Sequence, residues 1–283
     1  MESVKNILVG LDLSSIDNHL IAYSSFIAEK LEAENVYFVH NIKKYEISAL
    51  FEDELKDINL DELIGDELNE KISEKFTANI HWDVFISEDS NTESLIDYIV
   101  NKYQIDLTIV GNKKAKEGTG VLTGKLLRLL KSHIMSVPKT ANLKLENAWI
   151  GTDFSTQSKR SFLFIESLPT LNLKLKPVHF YHVPIQFSPY VPKEDALEKI
   201  KKHLQQKSAK FLKKLGSPLD KTEFIYAQDK SVSEKFIIEI AKKKPDLVIL
   251  SDKGGNNISS LLIGSLTEEL FNESLESPLL VIK

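Results

Sequence analysis

Short runs of β-branched and aromatic residues alternate along the chain with longer stretches in which apolar residues recur every three or four positions. The first pattern reads as buried strand and the second as amphipathic helix, so their alternation predicts βαβ units around a parallel sheet. Strands are expected near 6–12, 36–42, 79–87, 107–111 and 139–145, with helices near 16–33, 46–75, 91–103 and 121–133. A second series follows, with strands near 148–153, 175–183, 222–228, 247–251 and 278–283 and helices near 156–167, 193–215, 231–244 and 259–274. Four of the five strands in each series are nearly continuous apolar runs, such as ILVGL and LVIL, as expected of strands covered on both faces.

The two series are one series repeated. NILVGLDLSS at 6–15 matches NAWIGTDFST at 147–156, which sets Asp12 over Asp153 at an offset of 141. VYFVHNI matches HFYHVP, setting His40 over His182 at 142, and DLTIVGNKK matches DLVILSDKG, setting Gly111 over Ser251 at 140. Gly124 over Gly264 and Pro138 over Pro278 repeat the offset of 140. Two copies of one domain are therefore expected, 1–143 and 144–283, and no flexible tether separates them.

A length of 283 residues suits two such domains, at about 100–200 residues each. The net charge of −5 gives no overall positive field for a nucleic acid, and the absence of cysteine removes disulfides, thiolate chemistry and Cys-type metal sites. No signal-like leader and no apolar run of about 20 residues is read, so the expectation is a cytoplasmic protein without a membrane partner. Charge is unevenly divided. Residues 1–143 carry 15 basic and 24 acidic side chains, whereas 144–283 carry 21 and 17. Most of the contrast lies in the second helical region, EDELKDINLDELIGDELNE against KIKKHLQQKSAKFLKK, read either as two separately solvated faces or as a contact surface.

In an open parallel sheet, ligands bind beyond the carboxyl ends of the strands, where strand order reverses. There copy two reads SDKGGNNISSLLIGSLTEEL, with Ser251, Gly254, Gly264 and Ser265 at spacings x2 and x9, followed by Leu266 and Thr267. Glycine admits close approach of backbone N–H groups to an anion, and Gly264-Ser265-Leu266-Thr267 can open a helix whose unpaired N–H groups face phosphate. The alternative is a plain loop with ordinary hydroxyls. Asp153, before F-S-T, is either a ligand acceptor or a helix cap. TGVLTGKLL is not a Walker motif, since Thr119 and Leu126 stand where Gly and Ser/Thr are required. His179 and His182, three apart on an expected strand, point to opposite faces and cannot share a metal. No paired carboxylates or Ser-His-Asp arrangement is read at a strand end.

The Asp153 strand end, His182-Val183, and the glycine-serine loop followed by PLLVIK together resemble the universal stress protein family, and the resemblance spans both copies. It implies the adenine nucleotide alpha hydrolase-like α/β fold: two tandem five-stranded parallel sheets with helices on both faces, paired through their last strands as an internal pseudo-dimer that can dimerise again. The family's nucleotide-binding branch holds ATP with a G-x2-G-x9-G-[S/T] loop. Carried over, Thr152 and Asp153 would contact the adenosine portion, Val183 the adenine edge, and Ser251, Gly254, Gly264, Ser265, Leu266 and Thr267 the ribose and phosphates. Ser251 departs from the first glycine of that pattern.

Copy one departs further. Lys114 replaces the second glycine, Asn41 the valine, and Gly124-Lys125-Leu126-Leu127 loses both hydroxyls. Its lysines either neutralise an anion or fill the site. The expectation is a stress-response or signalling protein that binds ATP, with or without Mg2+, in its second copy. The alternatives are a slow ATPase, with Asp252 and Glu268 the nearby carboxylates, and a nucleotide-free adaptor.

Overall fold

The structure, a computed structural model, describes residues 3–42, 59–113, 120–168, 173–182, 193–217, 219, 221–252 and 261–283, without the side chains of 120–123, 193, 194, 196 and 261–265. Among the sequence expectations, Val183, Gly254, Lys114 and the helical turns near 46–58 lie outside the described residues. The chain divides into two compact units, Met1–Lys139 and Thr140–Lys283.

Unit 1 contains strands β1 (Asn6–Leu11), β2 (Asn35–Asn41), β3 (His81–Ser87), β4 (Leu107–Asn112) and β5 (His133–Pro138), with helices α1 (Asp17–Leu31), α2 (Leu60–Lys75), α3 (Thr92–Lys102) and α4 (Gly120–Leu129). Its strand order is β3-β2-β1-β4-β5, and every pair is parallel. Unit 2 contains β6 (Asn147–Gly151), β7 (Lys174–Tyr181), β8 (Glu223–Tyr226), β9 (Leu247–Ser251) and β10 (Leu279–Ile282), with α5 (Thr156–Glu166), α6 (Lys193–Leu215), α7 (Val232–Lys243) and α8 (Leu261–Asn272). Its order, β10-β9-β6-β7-β8, is the same order and is again parallel throughout. Each unit therefore begins in the middle of its sheet, winds outward through two crossovers, then returns to the other side. This puts the reversal between β1 and β4 in unit 1 and between β6 and β9 in unit 2.

Apolar runs form the central strands because both of their faces are covered. Ile7, Leu8 and Val9 are buried in β1, as are all residues of β9 and β10. In unit 1, α1 packs on β1, β4 and α2, while α3 and α4 pack on each other; in unit 2, α5 packs on β6, β9, β10 and α6, while α7 packs on β7 and α8. Helix starts follow local chemistry. Asn91 Oδ1 accepts from Ser94 N–H at 3.0 Å to begin α3, and Ser231 with Glu234 forms a reciprocal capping box on α7.

The amino ends of the central strands are clamped identically. Asp106 Oδ2 accepts from the N–H groups of Lys5 and Asn6 at 2.8 and 2.9 Å, and Asp246 Oδ2 accepts from Glu146 and Asn147 at 3.0 and 2.8 Å.

Two parts of the repeat alignment are corrected by strand register. The last strand of unit 1 is His133–Pro138, whereas 139–145 holds a turn and irregular chain. HIMSVP is buried from Ile134 onward, while Lys139, Thr140, Asn142, Leu143 and Lys144 are exposed, so the apolar run takes the sheet position. Ser136 pairs with Val110 and Val281 with Leu250, which makes the offset here 145. The match of Pro138 to Pro278 is therefore coincidental: Pro138 ends β5, whereas Pro278 precedes β10. Similarly, Leu11 pairs with His40, and the register of β6 with β7 brings Thr152 level with His179. His40 corresponds to His179, not to His182.

Candidate functional site

The end of β6 turns sharply into α5, and side chains hold the turn. Thr152 Oγ1 accepts from Phe154 N–H at 3.0 Å, Asp153 Oδ1 accepts from Ser155 N–H at 2.9 Å, and Ser155 Oγ accepts from Ser158 N–H at 3.2 Å. The helix cap is thus Ser155, and Asp153 makes the turn before it instead of capping. These bonds keep Phe154 in the left-handed region at φ 64, a conformation that costs energy for a bulky residue. The Thr152 and Ser158 hydroxyls share a further hydrogen bond of 3.0 Å.

From β7, His179 Nδ1 donates to the Thr152 carbonyl at 2.7 Å, which leaves Nε2 as the nitrogen open to a ligand. Burial pushes the imidazole pKa down, and the Lys207 cation adds to this against the opposing pull of the Thr152 carbonyl and Asp153. His179 is therefore neutral at pH 7. Its ring lies 4.7 Å from Phe154 and is stacked at 6.4 Å with Tyr181. Lys207 reaches in from α6, donating to the Asp153 carbonyl at 3.2 Å with its ammonium 5.6 Å from the Phe154 ring centre.

Together these groups border a cavity of about 560 Å3 at the carboxyl ends of β6, β7 and β9, across the reversal of strand order. Val178, Phe180, Val232, Phe236 and Leu250 supply its apolar wall. Gly151 supplies the close approach: a Cβ there would stand 2.3 Å from Leu250 Cδ2. The volume falls in the usual range for a small-molecule site.

Of the residues expected at the site, Thr152, Asp153, Ser251 and Leu266 line this cavity. Ser251 ends β9 in ordinary strand geometry, without the positive φ that would demand glycine. Thr267 is buried, and its hydroxyl donates to the Ser251 carbonyl at 3.3 Å. Gly264 and Ser265 lie within α8, where only the backbone is described. His179, Phe180, Tyr181, Ser158 and Lys207 also line the cavity without having been assigned to it. The signal for His179 was available, because FVHN and PVHF both place a histidine one residue after a buried valine of the second strand. Lys207 carried no such signal among its neighbouring lysines.

Unit 1 builds the same turn differently. His40 Nδ1 donates to the Leu11 carbonyl at 3.1 Å, and Leu13 repeats the left-handed backbone at φ 59. Here, however, the Asp12 carboxylate is ion-paired to Lys113, which is only 11% exposed. Burial opposes ionisation of Asp12, but hydrogen bonds from Lys113 and Ser14 and the Lys113 charge hold its carboxyl below the ordinary value. Ile16 packs on Gly111, with its Cγ2 3.2 Å from where a Cβ would stand. Asp17, 2% exposed, is pushed up to about 6 by burial and by the neighbouring Asp12 charge. Lys125 pairs with Glu93 at 2.6 Å on α3.

No family model matches the chain, and no curated protein matches its sequence. Solved structures do. A universal stress protein from Archaeoglobus fulgidus DSM 4304 superposes with a TM-score of 0.64 at 15% identity, covering 99% of this chain and 97% of that one. The fold is that of universal stress proteins. A provisionally assigned universal stress protein from Pseudomonas aeruginosa UCBPP-PA14 matches with a TM-score of 0.63 at 13% identity, over 99% of this chain and 93% of that one. At these identities the universal stress protein likeness carries the fold, and the chemistry must be argued from the site. Among the described residues, no helix is long and apolar enough to cross a membrane, and no three His, Asp or Glu side chains group as a metal site.

Proposed function

We propose that unit 2 binds an adenine nucleotide, ATP in the first instance, in the cavity at the ends of β6, β7 and β9, and that unit 1 is its nucleotide-free partner within a stress-response or signalling protein. The observation that carries this reading is the contrast at corresponding turns. In unit 2 the turn borders a cavity of about 560 Å3, while in unit 1 the matching aspartate is ion-paired to Lys113 and Ile16 packs on the matching strand end at Gly111. The apolar wall suits a base, and the hydroxyls and carboxylate of the β6 turn suit a sugar. The first turns of α8, which hold Gly264 and Ser265, would present backbone N–H groups to phosphate.

Adenine nucleotide released on denaturing the purified protein, with calorimetry giving one site per chain, is the expected result. Two equivalent sites, or none, would contradict it. The ATPase alternative gains no support from Asp252, whose carboxylate pairs with Lys283 at 2.7 Å. Turnover at ordinary enzyme rates, roughly 1–1000 per second, would restore that alternative.

A further inference from the structure

Between residues 199 and 214, α6 exposes seven lysines, and of these only Lys207 lines the cavity. Its ammonium spends one of three N–H donors on the Asp153 carbonyl and stands over the Phe154 ring, so its position is set while two donors remain. Among the described residues, no carboxylate lies within ion-pair distance of it. Among the described residues of the cavity lining, Asp153 is the single carboxylate and Lys207 the single lysine or arginine.

We infer that Lys207 binds a phosphoryl oxygen of the ligand and makes the cavity select phosphorylated nucleotides over the free nucleoside; this rests on the nucleotide reading above. A cation held by a carbonyl and a ring face, with no carboxylate among the described residues at ion-pair distance, is prepared to receive an anion without rearranging. The exposed lysines along the rest of α6 raise the local concentration of such an anion without touching it.

Calorimetry on the full chain with adenosine, AMP and ATP tests this. Lys207→Gln is expected to weaken AMP and ATP by about five- to fiftyfold while leaving adenosine unchanged, and Lys207→Arg to recover most of the loss. Lys210→Gln makes the same charge change outside the lining and is expected to shift all three by less than about twofold. A second readout is the His179 titration followed by NMR: AMP should raise it in the native chain and raise it less in Lys207→Gln. Equal losses for adenosine and AMP, or no loss for either, would overturn the role of Lys207 alone. A native chain that binds neither adenosine nor AMP would bring down the nucleotide reading together with it.

Discussion

In both units the first strand ends in an aspartate, Asp12 or Asp153, followed by a residue in the left-handed region, Leu13 or Phe154. In both, a histidine of the second strand donates to the carbonyl just before that aspartate. Beyond this shared backbone the units part. Unit 1 sets Ile16, Asp17 and Lys113 around the turn, whereas unit 2 has Gln157 and Ser158 at the first two of these positions and a cavity beside them. The difference teaches that the fold supplies a location for a site and that three or four side chains set what surrounds it. The helices after β2 and β7 diverge in the same way. Exposed Asp61, Glu62, Asp66 and Glu70 mark α2, while α6 is lined with lysines, one of which borders the cavity.

The comparison breaks most sharply at α8. Replacing Gly264 by Val, or Ser265 by Lys as in unit 1, should reduce calorimetric stoichiometry from one nucleotide per chain to none, with an unchanged circular dichroism spectrum. A smaller effect separates the aspartates. Asp153→Ala should cost about 1–3 kcal/mol, roughly 5- to 150-fold in affinity, whereas Asp12→Ala should leave affinity untouched because Lys113 already occupies it. Equal losses from the two would place the working site in both units or in neither.

A third contrast is in pH dependence. Asp17 is raised to about 6 in the folded chain from an ordinary 3.8, so the folded state holds its proton more tightly and ionisation opposes folding as pH climbs through that interval. Asp17→Asn should therefore stabilise unit 1 above pH 6, by at most about 3 kcal/mol, and the gain should vanish below pH 4. Urea midpoints measured at pH 4 and 7.5 would show this. The corresponding change in unit 2, Ser158→Ala, should show no such pH dependence. The smallest effect is expected from Thr267→Val, which removes the hydroxyl bond to the Ser251 carbonyl and should lower stability by about 1 kcal/mol while ligand affinity moves little.

The sequence by itself determined the architecture, because burial on both faces demands the continuous apolar runs and helices demand the 3.6-residue period, and both are local properties. It also determined the repeat at β1 and β4, where Asp12 and Asp153, Gly111 and Ser251, and the Asp106 and Asp246 clamps keep their spacing. Register between strands was not legible. Aligning the strand ends sets His40 against His182; the valine before both His40 and His179 points to the other match, and the hydrogen-bond ladder between β6 and β7 decides it. The same holds for the last strand of unit 1, where HIMSVP and KTANLKL compete for one place and burial selects the first.

Part of the cavity lining was visible, namely Thr152, Asp153 and Ser251 at strand ends, which can be found by counting, and Leu266 in the glycine-serine stretch that follows β9. The rest comes from elements far apart in the chain. Lys207 reaches the site from the middle of a helix that reads as a solvated basic face, and Lys113 pairs with Asp12 from a strand end about a hundred residues further along the chain. Such pairings are set by tertiary packing, because a long side chain meets whatever the crossovers bring within its reach, and no spacing in the sequence encodes that distance.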